Sequence, residues 1–537
     1  MQFLSQILMI LYKYIRKMKP LSFLKASKYE ENGGGKMSKV IQLHSKDSVV
    51  ISIKEIAKGE VINVQGECEN SIEIPIRTDI PKGHKILVKP RKKGEDIFKY
   101  GYSIGKAKTD LEEGEWIHTH NLQSGLSGIL NYEYQPISQP NIPKTSNYTF
   151  QGYIRENGEV GIRNEIWIIN TVGCINKTCE LLAKMATEQF RDERVDGVYH
   201  FPHPYGCSQL GDDLTNTQKL LAALTQHPNA GGILVVGLGC ENNQIEAFKE
   251  VIGEYATDRI KFLKAQEVED ELEKGISLIS ELVAHANQYK RQPIPLSKLK
   301  IGLKCGGSDG FSGVTANPLV GAVSDIVVAS GGTAILTEVP EMFGAETLLM
   351  SRAKNEETFN KITNLVNDFK EYFIQHNQEI YENPSPGNKD GGISTLEEKS
   401  LGCTQKGGHS RVEDVVPYGE RVIKSGLNLV NAPGNDLISV TALAAAGAHI
   451  VLFTTGRGTP FGGPVPTVKI STNSELAHRK KHWIDYNAGR LIEDQSMEEL
   501  KHDLLQYILN VASGQTQTNN ERLGFREISI FKEGVIL

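Results

Sequence analysis

The stretch Ile233-Leu234-Val235-Val236-Gly237-Leu238-Gly239-Cys240-Glu241-Asn242-Asn243 decides the fold of this 537-residue chain. Its apolar run is short and rich in β-branched residues, which fits a strand buried on both faces. The run stops at a turn with two glycines, where a polar loop begins. Working outward, Ile166-Trp167-Ile168-Ile169 and Val198-Tyr199-His200-Phe201 repeat the pattern upstream. Helical stretches lie between, at Leu181 to Phe190 and around Leu220-Leu221-Ala222-Ala223-Leu224. Further on, Leu272, Ile276, Ile279 and Val283 share one helix face. Such alternation predicts a mostly parallel sheet with helices on both sides.

Gln292-Pro293-Ile294-Pro295 marks a boundary. Beyond it, Ile326-Val327-Val328, Ala334-Ile335-Leu336 and Ile450-Val451-Leu452-Phe453 read as strands. Ile362, Val366, Phe369 and Phe373 mark an amphipathic helix. Upstream, residues 37–121 hold the β-rich Val49-Val50-Ile51-Ser52-Ile53 and closely spaced glycines, the pattern of a small all-β module. Residues 122–149 contain Pro136, Pro140 and Pro143 and read as an extended linker. The expected fold is therefore multidomain, α+β and α/β. A small all-β N-terminal module precedes two α/β domains with mostly parallel sheets, 150–292 and 296–537.

Residues 1–36 read apart from the rest. The apolar run Phe3 to Ile15 is too short to span a bilayer, and its basic flank follows rather than precedes it. Glu30-Glu31-Asn32-Gly33-Gly34-Gly35-Lys36 has purine-rich codons directly before Met37. The expectation is a translated ribosome-binding sequence with the native start at Met37. A chain from the native gene whose mass retains Met1 to Lys36 would refute it.

The 59 Lys+Arg against 65 Asp+Glu give a net charge of −6, with 39% hydrophobic and 23% charged residues. This is ordinary globular usage, which excludes a disordered chain, a collagen-like fibre and a polytopic membrane protein. The mild acidity argues against a general nucleic-acid binder. An anionic small molecule remains compatible, because a local site can be positive on an acidic protein. Seven cysteines form no secreted disulfide framework and fit a reducing cytoplasm.

Cys174, Cys207 and Cys240 each follow an apolar run and a glycine-bearing turn, and Cys305 repeats the pattern in the next domain. Ligands bind at the carboxyl ends of parallel strands. A thiol-lined site and ordinary small buried residues are about equally good readings of the set. An iron–sulfur cluster on three of these four thiols ranks below a single metal ion, since no compact cysteine motif is present. His118-Thr119-His120 places two imidazoles on one face of a strand, the spacing of a metal chelate. Gly83-His84-Lys85 offers a base and a cation after a turn.

Downstream loops are dense in glycine and polar groups. They include Thr337-Glu338-Val339-Pro340-Glu341, Asn383-Pro384-Ser385-Pro386-Gly387-Asn388-Lys389 and Thr455-Gly456-Arg457-Gly458-Thr459-Pro460. Ser308, Asn317, Asn388, Lys389 and Thr459 match a hydroxylated ligand, and Arg457 can clamp a carboxylate. No Walker A sequence occurs, and Gly237-Leu238-Gly239 lacks the third glycine of a dinucleotide fingerprint.

With Tyr205-Gly206-Cys207-Ser208-Gln209, Cys305-Gly306-Gly307-Ser308-Asp309 and the loops above, the chain resembles the altronate/galactarate dehydratase family from about Met37 to Leu537. Gly83-His84-Lys85 matches that family's N-terminal β-clip (SAF-type) module, and His118-Thr119-His120-Asn121 resembles its altronate branch. The resemblance implies a hydro-lyase taking D-altronate to 2-dehydro-3-deoxy-D-gluconate in galacturonate breakdown. It also implies Fe²⁺, with Mn²⁺ as a substitute, a cytoplasmic location, and no nucleic-acid or membrane partner. A homo-oligomer stays open. The expected metal ligands are His84, His118, His120 and Cys240. Lys85 is the expected base, and Glu241 or Asp309 the acid. A β module supplying ligands and α/β loops supplying substrate contacts would put the site between domains, with the linker as hinge. A galactarate dehydratase and a non-catalytic sugar-acid binding protein are the competing readings.

Overall fold

The protein is described by a computed structural model covering residues 38–65, 71–138 and 148–537. The 1–36 extension, the proposed start at Met37 and part of the expected linker lie outside the described residues. No helix among the described residues is long and apolar enough to cross a membrane.

The N-terminal module is all β. Val40–Ile41, Val49–Ser52, Lys85–Leu87 and Trp116–Ile117 form an antiparallel sheet. A hairpin of Val61–Gln65 and Ser71–Pro75 lies beside it, as does a three-stranded sheet of Asp96–Lys99, Tyr102–Ala107 and Leu122–Gln123. Val50, Ile62, Ile74 and Ile86 fill one small core. Leu87, Ile97, Ile104 and Ile117 fill a second, which also takes in Ala345 and Leu401 from the C-terminal domain. The module is thus bonded to its neighbour through shared apolar burial.

In the second domain four parallel strands run in the order Val198–His200, Glu165–Asn170, Ala230–Gly237, Ile260–Lys264. Every residue of Ala230–Gly237 is buried, as the apolar run predicts for a central strand. Gln292–Pro295, expected as a boundary, pairs antiparallel with Thr149–Ile154 and so joins the two ends of this domain.

Seven parallel strands form the sheet of the third domain. Their order is Val412–Val416, Gly426–Val430, Thr333–Leu336, Lys300–Cys305, Ile450–Thr455, Thr467–Ser471, Tyr486–Asn487. The first strand made, Lys300–Cys305, lies at the centre. The chain builds outward on one side and then returns to the other, which opens a crevice at the strands' carboxyl ends.

Two expectations are corrected. Ile326-Val327-Val328 is not a strand but part of the helix Ala316–Ala329, whose surface is buried almost all round. A short apolar run carries no period that separates a buried helix from a buried strand. The linker is also not a free extended hinge where it is described. Leu122–Gln123 is a strand, and the following residues are strapped to the third domain. Gly125 N donates to Glu397 Oε1 (2.7 Å), Tyr134 Oη to the Ala353 carbonyl (3.0 Å) and Ile137 N to the Ser351 carbonyl (3.0 Å).

Candidate active site

The helix Leu396–Cys403 is buried at every residue. Its sequence, Leu-Glu-Glu-Lys-Ser-Leu-Gly-Cys, is half polar, so each polar group needs an internal partner. Thr395 caps it by accepting from Glu398 N (3.3 Å).

Toward the β module, Glu398 accepts from Lys85 Nζ (2.8 Å), Lys99 Nζ (2.8 Å) and Ser394 N (2.8 Å). Lys85 Nζ also donates to the Gly392 carbonyl at 2.7 Å. Burial alone would raise Glu398, but the two ammonium groups outweigh it and hold the carboxyl down at about 2. Two cations share one anion. Burial and the nearby Lys99 charge therefore push Lys85 down to about 8, while Glu398 raises Lys99 against its burial.

The other end of the helix faces the crevice. Cys305 Sγ, Cys403 Sγ and Glu341 Oε2 converge: the sulfurs lie 3.2 Å apart, and the carboxylate oxygen is 3.2 Å from Cys305 and 3.1 Å from Cys403. Lys406 Nζ is 2.8 Å from Cys305 Sγ and 3.1 Å from Glu338 Oε2. Lys304 is paired with Glu338 and, at 3.1 Å, with Asp436. Lys399 Nζ donates to Glu341 Oε1 (2.8 Å), Asn383 Oδ1 (2.9 Å) and Asn388 Oδ1 (3.1 Å). Against burial, Lys399 and then Lys304 and Lys406 hold Glu341 well below the carboxylate range. The Cys305 sulfur, burial and Glu341 push the Cys403 thiol well above its ordinary value. Glu338 sits in the left-handed region at φ 71°, a strain that its ion pairs and its bond from Cys305 N (3.0 Å) maintain.

Cys305 and Glu341 of this cluster reach a cavity of about 450 Å³ whose walls also include Asn383, Ser385, Asn388, Lys399 and Asp436. Among the described residues, Cys305, Glu341 and Cys403 are the one group of three His, Cys, Asp or Glu side chains whose metal-ligating atoms all lie within 4.8 Å of one another.

The expected metal set is not assembled. His84 Nδ1 accepts from Trp116 Nε1 (3.1 Å), so Nε2 carries the hydrogen and donates to the Asp390 carbonyl (3.3 Å). Both ring nitrogens are thereby spent. His118 lies against it, with ring centroids 5.2 Å apart, and bonds Ser394 Oγ through Nδ1 (2.9 Å). Burial and the Lys85 charge hold both rings down at about 4, hence neutral. His120 is exposed beside Trp116. Cys240 lies in the second domain, with Gln266 Nε2 at 3.7 Å from its sulfur.

The expected acids and base are also placed elsewhere. Lys85 is fully enclosed and bonded to Glu398 and Gly392, away from the cavity wall. Glu241 accepts from Thr171 Oγ1 (2.6 Å), Leu238 N (3.0 Å) and Gly239 N (2.6 Å). These donors outweigh burial and lower its pKa, so it is held ionised, without a proton to give. Burial raises Asp309, but its carboxylate is ringed by Thr472, Ser312 and Phe311 N at 2.9–3.1 Å. A Cβ at Gly456 would come 2.1 Å from Asp309 Cγ, which fixes glycine there.

Of the expected ligand contacts, Asn388 lines the cavity. Asn317 is spent inside the protein, donating to the Gly402 carbonyl (3.0 Å) and accepting from Thr454 Oγ1 (2.6 Å). Ser308 is buried, and its carbonyl accepts from Asn388 Nδ2 (2.9 Å). Thr459 Oγ1 accepts from Phe461 N at 3.2 Å. Arg457 is exposed beside Gly307, and Lys389 is half-buried. Glu341 is the end of the polar loop already named from sequence, whereas Lys399, Cys403, Lys406 and Asp436 were not singled out. Their signal is ionisable side chains inside otherwise buried segments.

Residues 38–125 match the altronate/galactarate dehydratase SAF domain. Residues 152–287 match the D-galactarate dehydratase/altronate hydrolase second domain, and 296–536 the D-galactarate/altronate dehydratase C-terminal domain. The chain belongs to the altronate/galactarate dehydratase family. It is 54% identical to altronate dehydratase of Bacillus subtilis (strain 168), over 93% of this chain and 100% of that protein. It is 51% identical to altronate dehydratase of Escherichia coli (strain K12), over 93% of this chain and 99% of the relative. Galactarate dehydratase (L-threo-forming) of the same E. coli strain is more distant, 33% identical over 84% of this chain and 90% of its own length.

Proposed function

We propose that this chain is an altronate dehydratase, a hydro-lyase that converts D-altronate to 2-dehydro-3-deoxy-D-gluconate in cytoplasmic galacturonate breakdown. The observation that carries the reading is the cavity of about 450 Å³, lined by a buried lysine, carboxylates and amides with the Cys305 sulfur in its wall. Its lining suits a small acid with many hydroxyls.

The C2 proton beside a carboxylate is weakly acidic, and its removal builds negative charge that the site must stabilise. Lys399, held charged by Glu341, exchanges its bonds to Asn383 Oδ1 and Asn388 Oδ1 for substrate oxygens when the ligand enters. Asp436, at the start of the helix Asp436–Ala445, takes the C2 proton, and Lys399 gives one to the departing C3 hydroxyl. Arg457 and Lys389 steer the anion toward the crevice. The ferrous ion that the family resemblance implies fits the donor set of Cys305, Glu341 and Cys403, since two sulfurs and a carboxylate oxygen suit a borderline divalent ion. When bound, it supplies Lewis-acid stabilisation at the substrate's carboxylate end.

The test is an anaerobic dehydration assay of altronate and galactarate with Fe²⁺, Mn²⁺ or chelator, scoring 2-keto-3-deoxy acid. Metal-dependent turnover of altronate is the expected result. Turnover of galactarate alone would move the substrate, and turnover of neither would sink the enzyme reading.

A further inference from the structure

The mechanism above leaves unused three thiols at the carboxyl edge of the second-domain sheet. Cys174 follows Glu165–Asn170, Cys207 follows Val198–His200, and Cys240 follows Ala230–Gly237, three strands adjacent in the sheet. We propose that Cys174, Cys207 and Cys240 together ligate an iron–sulfur cluster at this edge.

The three loops form one stitched surface. Gly173 N donates to the Tyr205 carbonyl (2.8 Å) and Asn243 N to the Gly206 carbonyl (3.0 Å). Ser208 N donates to Asn242 Oδ1 (2.8 Å), and Asn243 Nδ2 to the Thr171 carbonyl (3.1 Å). Every one of these bonds joins residues within three positions of a thiol. The approach is close enough that a Cβ at Gly206 would come 1.9 Å from the Thr171 carbonyl oxygen.

All three thiols are free and exposed, whereas Cys179, Cys305 and Cys403 are buried. A free cysteine ordinarily behaves as a small buried hydrophobe, so three exposed on one rim call for a different account. A separate observation points to a ligand. Gln209 is 1% exposed, and its Oε1 is fixed by Gly206 N (2.9 Å), yet its Nε2 has no hydrogen-bond partner among the described residues. A buried amide donor of this kind suits cluster sulfide. The structure also removes Cys305 from the candidate ligands, because it lies in the third domain against Cys403. Three thiolates leave one iron open to an oxygen ligand.

Assembly balances simply. Each thiol loses its proton to solvent and forms one sulfur–iron bond. Ferric and ferrous iron in equal amounts, with sulfide, match the cluster's charge with no further oxidant.

The experiment is anaerobic incubation of the full chain with those three components, followed by removal of unbound iron. The expected result is an absorption band at about 400 nm with roughly four irons and four sulfides per chain. The C174S/C207S/C240S variant should bind at least tenfold less iron, while C305S/C403S keeps the band. C207S and C240S singly change exposed side chains, and each should also lose the band. No band in the unaltered chain, or full iron in the triple variant, overturns the proposal. Altronate turnover with Fe²⁺ alone is assayed separately, so its failure would sink the dehydratase reading and leave this one standing.

Discussion

Two buried lysine–glutamate networks flank the helix Leu396–Cys403, and they differ in what lies beside them. At the β-module side, Glu398 binds Lys85 and Lys99, and all three side chains are enclosed at 0–1% exposure. At the crevice side, Glu341 binds Lys399 next to two sulfurs and open space. Both perturb pKa values strongly. Burial of a charge pair therefore does not mark a site on its own; access to space and soft donors does. The first network welds two domains, while the second is available for chemistry.

The sharpest way to break that comparison is K399Q. Turnover in the altronate assay should fall by about 10²–10⁴-fold with the fold retained by circular dichroism. Unchanged turnover would remove the crevice network from the chemistry. E398Q tests the weld. It leaves Lys85 and Lys99 buried without their anion, and urea unfolding should show a loss of about 3–5 kcal/mol. Full stability in E398Q would erase the distinction between the networks.

Acid sharpens the same point. Glu398 is held at about 2 in the folded chain against an ordinary 4.5. Below 4.5 the unfolded chain takes up the proton first, so this stabilisation is present above 4.5 and is lost as pH falls toward about 2. Acid titration of stability should be less steep over that window in E398Q. The smallest effect is expected from S394A, which removes the partner of His118 Nδ1 (2.9 Å) at the module's rim. It should cost about 1 kcal/mol of stability and leave KM for altronate unchanged.

The architecture was legible where local pattern suffices. Ile233 to Val236 carries burial on both faces in its composition, and the glycine turns mark strand ends. The failure at Ile326 to Val328 has the same root, because a helix buried all round has no polar face to betray its period. The site was legible only as loops. Thr337 to Glu341 and Asn383 to Lys389 were in view, but what makes them a site is distant in sequence. Lys85 meets Glu398 across 313 residues, and Cys305 meets Cys403 across 98. No spacing rule links such pairs. His118 and His120 look like a chelate by spacing, yet His118 is bonded to Ser394 and His120 faces solvent at Trp116.

The central position of Lys300–Cys305 has a consequence for how the molecule is made. Its neighbour across the sheet, Ile450–Thr455, is joined to it through bonds such as Lys300 N to His449 Nδ1, 149 residues apart. At about 5–20 residues per second, synthesis of that interval takes roughly 7–30 s. During that time the strand lacks one of its two partners, and Cys305 waits in a nascent chain. Long-range parallel pairing of this kind is slow to form. The topology itself thus leaves a strand edge and a thiol without their final neighbours in the growing chain for that interval.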